Sequence, residues 1–212
     1  MKTTLKIALI GSTGKAGKYL AKELAIQGIQ CKLLVRNSTN QFSETFEIIE
    51  GDVADYQSVV NLVHDCHVVI SMLGMGILPN PTNIFSTATV NIIKAMKKYN
   101  ICRYILITGL NVDTPSDDKG AKSKMATEWM HSHYPKTTKD KQEEYTILRE
   151  SDIDWTLIRL PLIDQTDDNP AINISLKDCP GDAISATSLA NFIIRQINDK
   201  TFIREAPFIA NI

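Results

Sequence analysis

With 212 residues, 43% of them hydrophobic, the chain can bury a substantial core and falls within the usual span of one domain. Its 23 Lys and Arg balance 24 Asp and Glu, so no global charge draws it to nucleic acid or to an anionic membrane surface, and any anion site has to be local. The four cysteines, Cys31, Cys66, Cys102 and Cys179, form no C-x-x-C pair, and no apolar run approaches membrane-spanning length, as expected of a reduced cytoplasmic protein.

The first predicted element is an apolar strand, Ile7 to Ile10, that runs straight into Gly11-Ser12-Thr13-Gly14-Lys15-Ala16-Gly17 and then into a helix. That order makes a site for a dinucleotide pyrophosphate. Gly11 can take the tight turn, Gly14 lets the backbone approach the phosphates, and Gly17 lets the helix pack closely on the strand. The N–H groups at the helix start, with those of Lys15 and Ala16 beside them, then face the anion. Ala16, Leu20 and Leu24 recur at four-residue spacing along the helix, and Gly28 follows where a C-cap is expected.

A second strand, Cys31 to Val35, ends in Arg36-Asn37-Ser38, where a site for NAD usually carries an acid for the ribose hydroxyls. Arg36 can instead stack on adenine and pair with a 2′-phosphate, and Ser12 and Thr13 can add hydroxyl donors, which points to NADP(H). The third strand, Glu47 to Ile49, leads to Gly51-Asp52-Val53. There Asp52 either meets the adenine amino group, with Val53 against the ring, or caps the next helix. Val59, Leu62, Val63 and Cys66 share one face of that helix.

The fourth strand, Val68 to Met72, is followed by Leu73-Gly74-Met75-Gly76, where glycines again permit close backbone approach. Phe85, Ala88, Ile92, Ala95 and Tyr99 define the next helix, and Tyr104 to Ile107 the fifth strand, closed by Thr108-Gly109. Asn111–Gly120 and Asp164–Pro170 are polar and read as long loops. Each follows a strand, so each is either a wall of a ligand crevice or ordinary surface. His131-Ser132-His133-Tyr134 reads as exposed loop. Trp129, Met130 and Tyr134 add apolar surface in a segment of little periodicity, which suits an acceptor site or a homodimer contact. His64 and His67 do not offer metal-ligand spacing on one face, and His131 with His133, which could bind metal or substrate, reads as exposed loop instead, so no metal is expected. Trp155 to Ile158 is the sixth strand. Leu189, Ile193 and Ile197 mark a last helix capped by Ser185 or Thr187, and Pro207 to Ala210 a final strand. This alternation predicts an α/β fold, a doubly wound parallel sheet with helices on both faces and its ligand at the carboxyl ends of the strands.

Taken together, these motifs resemble the atypical short-chain dehydrogenases of the NAD(P)H-binding type, the group that includes NmrA-like proteins and biliverdin reductase B-type flavin reductases. The likeness rests on residues 11–17, on Leu34-Val35-Arg36, on Gly51-Asp52-Val53 and on Thr108-Gly109. It extends to Asp140-Lys141, to Leu148 through Arg159, and to Ile184-Ser185 with Leu189-Ala190. It implies one NAD(P)-binding Rossmann domain over residues 1–212, with a small substrate-side portion from about residue 160 onward. It also implies that Thr108 approaches the nicotinamide, that Lys141 holds the ribose or is merely solvated, and that Pro161 turns over the nicotinamide. The chain departs from the family where Arg-Pro becomes Arg159-Leu160-Pro161.

Typical short-chain dehydrogenases use Tyr-x-x-x-Lys to donate a proton. The residues four beyond the six tyrosines are Glu23, Val60, Arg103, Thr108, Thr138 and Arg149, so no such dyad occurs. Two functions are compatible with that loss. One is an NADPH-dependent reductase whose small acceptor, such as a flavin or quinone, takes hydride without a strong general acid. The other is a catalytically silent NADP(H)-binding redox sensor of NmrA-like type. No G-x-S-x-G is present for a serine hydrolase.

Overall fold

The computed structural model describes residues 5–37, 45–75 and 81–212. Strands β1 (Lys6–Ile10), β2 (Gln30–Val35), β3 (Glu47–Glu50), β4 (Val68–Ser71), β5 (Arg103–Gly109) and β6 (Asp154–Leu160) are interleaved with helix α1 (Gly17–Ile26) after β1, α2 (Tyr56–Val63) after β3, α3 (Ile84–Lys98) after β4, and α4 (Ala121–His133) and α5 (Pro135–Glu150) after β5. The C-terminal part adds β7 (Leu162–Asp164), β8 (Ile172–Ser175), β9 (Ala183–Ser185), α6 (Ala186–Gln196) and β10 (Phe208–Asn211). The main sheet runs β3-β2-β1-β4-β5-β6-β10-β8. Every neighbouring pair in it is parallel except β10 with β8, which is antiparallel at the sheet edge. This is the doubly wound α/β fold expected.

The strands read as continuous apolar runs because both faces are covered. Ala8 and Ile10 point into one core with Val59 and Leu62 of α2, Phe85 and Ile92 of α3 and Leu148 of α5. Ile7 and Leu9 point into the other with Leu20 and Leu24 of α1 and Leu189 and Ile193 of α6. β1 pairs with β2 on one side and β4 on the other, so the chain order reverses there and a crevice opens beyond the carboxyl ends of β1 and β4.

Several element boundaries differ from the expectation. Cys66 and Tyr99 fall just beyond α2 and α3, although Cys66 stays buried. Ser185, not Thr187, caps α6, its hydroxyl accepting from the Ser188 N–H at 3.3 Å. The segment 121–133, which includes the expected loop at His131, is helical. It was hidden because only Ser123 and Thr127 of α4 are buried, so the helix shows no apolar core stripe. Strands β7, β8 and β9 are three or four residues each, too short to carry a period-two pattern. Among the described residues no helix is long and apolar enough to cross a membrane.

Candidate active site

Gly11 takes φ +78°, and a Cβ there would sit 2.6 Å from the Met72 carbonyl oxygen, so only glycine fits between β1 and β4. The Gly14 N–H donates to the Gly11 carbonyl at 3.1 Å and closes the turn, while Thr13, Gly14 and Lys15 lie exposed. A Cβ on Gly17 would overlap the Gly11 carbonyl, which fixes the closeness of α1 to the turn. Ala16 occupies the α1 N-cap without a side-chain capping bond, and the first turn holds no acid, so the positive end of the helix is left for an anion. Ser12 departs from the expected pair of hydroxyl donors. It is fully buried, with a hydroxyl that has no bonding partner among the described residues, and Thr13 alone is the exposed hydroxyl of the turn.

One groove gathers the ends of four strands: Gly11 and Thr13 after β1, Arg36 after β2, Asp52 and Val53 after β3, and Leu73 and Gly74 after β4. These positions were read separately from sequence, and the fold brings them together. Asp52 does not cap α2. Its Oδ1 accepts from the Ala54 N–H at 2.8 Å, and the cap is Asp55, which accepts from the Gln57 and Ser58 N–H groups. Asn91 of α3 braces this corner by donating to the carbonyls of Val53 and Ala54 at 3.1 and 2.9 Å. Gly76 lies outside the described residues.

Beyond β5 and β6 lies a larger cavity of about 840 Å³, within the size range of small-molecule sites. Gly109 and Asn111 line it at the end of β5, Leu160, Pro161 and Leu162 at the end of β6, and Met125, Ala126, Trp129 and Met130 of α4 form another wall. Pro161 therefore lines this cavity and not the groove. Thr108, one residue inside β5, is buried, and its hydroxyl has no partner among the described residues.

Lys141 is partly buried on α5 with its amine 4.9 Å from the centre of the Phe85 ring, and it lines neither the groove nor the cavity. Burial lowers the pKa of this amine, against the pull of Glu144 and Asp140. The Asp140 carboxylate caps α3 from outside, accepting from the Phe85 N–H at 2.8 Å and the Ser86 N–H at 3.2 Å. Glu144 accepts from the Thr89 hydroxyl at 2.9 Å, and burial pushes its pKa up to about 8.

Arg159 appeared in sequence only as part of a motif, yet it anchors the loop that follows β5. Its guanidinium is fully buried and lies 3.5 Å from the centre of the Phe208 ring. It pairs with Asp117 at 2.6 Å and donates to the carbonyls of Val112, Ala206 and Leu176. Lys119, also buried, donates to the Leu110 carbonyl at 2.8 Å. Together they tie the 110–119 loop to β6 and β10. A charged residue inside the apolar run Leu157-Ile158-Arg159-Leu160 was the available signal.

The family model described as NAD(P)H-binding matches residues 11–200, from the glycine turn to beyond α6. The chain belongs to the NAD(P)H-binding family. Among curated relatives, phenylcoumaran benzylic ether reductase 1 of Arabidopsis thaliana is 35% identical over 97 residues, which cover 41% of this chain and 32% of that protein. The mitochondrial NADH-ubiquinone oxidoreductase 40 kDa subunit of Neurospora crassa is 28% identical over 144 residues, 61% of this chain and 38% of that one. The chain spans about a third of the length of the first curated relatives it matches. Among solved structures, an anaerobillin reductase from Escherichia coli O157:H7 superposes with a TM-score of 0.79 at 16% identity, covering 97% of both chains. A short-chain dehydrogenase/reductase from Veillonella parvula, in complex with NADP, gives 0.75 at 18% identity over 98% of this chain and 94% of that one. At such identities the likeness is one of fold.

The residues fit the cofactor of the NAD(P)H-binding family. The glycines at 11 and 17 hold the turn tight against β4 and α1, and the exposed backbone of Thr13, Gly14 and Lys15 lies beside the uncapped start of α1.

Proposed function

We propose that the protein is an NADPH-dependent reductase that passes hydride to a small acceptor such as a flavin or quinone, without a Tyr-Lys dyad. The observation that carries this reading is the large, mostly apolar cavity at the ends of β5 and β6, on the same edge of the sheet as the glycine turn and the groove. Residues 11–17 would hold the pyrophosphate, Arg36 the 2′-phosphate, Asp52 and Val53 the adenine, and Leu73 and Gly74 the backbone side of the dinucleotide. Thr108, Gly109 and Pro161 would flank the nicotinamide. Lys141 would reach the ribose only by leaving Phe85. When bound, the cofactor supplies hydride, that is, two electrons and one proton. The walls of the cavity hold the acceptor ring in reach and keep bulk water from the transfer path, while the second proton enters from solvent at the open mouth.

One observation favours a silent redox sensor instead: Lys141, the family's ribose ligand by resemblance, is turned onto Phe85. Following NADPH oxidation with a panel of flavins and quinones separates the two. Turnover above the enzyme-free background is expected. Tight NADPH binding with no turnover across the panel would replace the reductase with the sensor.

A further inference from the structure

We infer that the indole of Trp129 is a stacking platform for a planar fused-ring acceptor, and so the residue that selects substrate in the large cavity. This rests on the reductase reading above. Trp129 lines the cavity and is 50% exposed, unusual for so large an aromatic side chain. One indole face is already covered. His133, one turn further along α4, stacks on it with ring centres 4.3 Å apart and planes 20° from parallel. That imidazole is pinned by its Nδ1 contact to the Trp129 carbonyl at 2.8 Å, and Tyr134 meets the indole edge-on at 5.8 Å. The backing fixes the ring before any ligand arrives. Neither His133 nor Tyr134 lines the cavity, whereas Met125 and Ala126, one turn the other way, do. His133 covers one indole face, so a ligand in the cavity would stack on the other.

The rest of the wall matches a flat, uncharged ring system. Met125 and Leu162, 66% and 76% exposed, border the cavity with polarisable and branched apolar surface. Gly109, Gly120, Ala121, Ala126 and Gly181 add wall without bulky side chains. Its charged groups already have partners. Lys122 pairs with Asp182, and the Asp178 carboxylate accepts from the N–H groups of Gly120 and Cys179 at 3.0 and 2.8 Å. Stacking on a preset aromatic face is tolerant of ring type but demands planarity.

The test uses riboflavin and 2-methyl-1,4-naphthoquinone as probes, with calorimetry and tryptophan emission on the wild type, Trp129→Ala and Trp129→Phe, and NADPH oxidation in parallel. The chain's other tryptophan, Trp155, is buried at 2% exposure and stays in both variants, so the quenching seen in the wild type beyond that in Trp129→Ala reports Trp129. At least one probe should bind the wild type and quench its emission. Trp129→Ala should bind it roughly tenfold more weakly, Trp129→Phe should restore most of the affinity, and NADPH affinity should be equal in all three. Equal probe affinity in Trp129→Ala, or no binding of either probe to the wild type, overturns the platform. So does a Trp129→Ala variant whose oligomeric state changes while probe binding does not, because the face then serves a second copy of the chain. Turnover with an unchanged KM in Trp129→Ala overturns the platform and leaves the reductase standing. Trp129-dependent binding without turnover does the reverse.

Discussion

Gly17 and Gly28 are both glycines at the ends of one helix, and they answer different physical demands. Gly28 has a left-handed φ of +65° with open space where a Cβ would go, so its alanine variant carries only backbone strain, about 1 kcal/mol. Gly17 has no room at all, since its Cβ would overlap the Gly11 carbonyl, and the turn would have to move. Gly17→Ala is therefore expected to lower the melting temperature more than Gly28→Ala and to weaken NADPH binding, which Gly28→Ala should leave intact. Melting curves and NADPH titrations on the two variants check this, and a Gly17→Ala protein that matched the wild type in both would refute the steric account. Arg36, exposed at the end of β2 and lining the groove, is assigned the 2′-phosphate. Losing a charge-assisted contact of that kind in Arg36→Ala should weaken NADPH binding about tenfold and change NADH binding little. An unchanged NADPH affinity, or an equal loss for NADH, would reassign the residue.

At the scale of elements, the start of α3 is held by a residue of α5. Ile84 at that start lines the groove, and the two N–H groups that follow are satisfied by the buried Asp140 carboxylate. Asp140→Ala should thus act as the loss of a helix cap, costing about 1–2 kcal/mol of stability, with a smaller loss of NADPH affinity as Ile84 shifts. Chemical denaturation of the variant measures the first effect, and a midpoint equal to the wild type would mean that α3 holds its own end. This cap was not legible in the sequence, because a carboxylate 55 positions from the N–H it meets leaves no local pattern. The parallel strands were legible, because burial on both faces makes each an apolar run. The groove was legible too, because Gly11, Thr13, Arg36, Asp52, Val53, Leu73 and Gly74 each follow a strand end at short distance. What escaped was of two kinds: α4 turns its apolar side chains to the cavity rather than to a core, and the buried Arg159 holds the loop after β5 through contacts with chain segments up to 47 positions away.

At the scale of the whole molecule, stability should carry the signature of one buried acid between α3 and α5. Glu144 is almost fully buried, and one of its carboxylate oxygens has no bonding partner among the described residues. Burial raises its pKa from 4.5 to about 8, while the Thr89 hydroxyl bond and the nearby Lys141 pull the other way and do not win. The folded state therefore holds a proton that the unfolded chain releases above its ordinary value. By linkage, the stability this proton supplies is fully present below pH 4.5 and is lost progressively as pH rises to about 8. Carboxylates such as Glu47, Asp152 and Asp199, held below their ordinary values by hydrogen bonds to Lys6, Lys97 and Thr201, have the opposite slope, and theirs falls in more acid solution. Glu144→Gln keeps an oxygen for the Thr89 hydroxyl and removes the titration. Relative to the wild type it should gain melting temperature steadily between pH 5 and pH 8 and gain nothing further above that. Calorimetric scans of both proteins at several pH values read this directly. Two curves that stay parallel from pH 5 to pH 8 would mean that Glu144 is ionised in the fold and that Lys141 has given up Phe85 to pair with it.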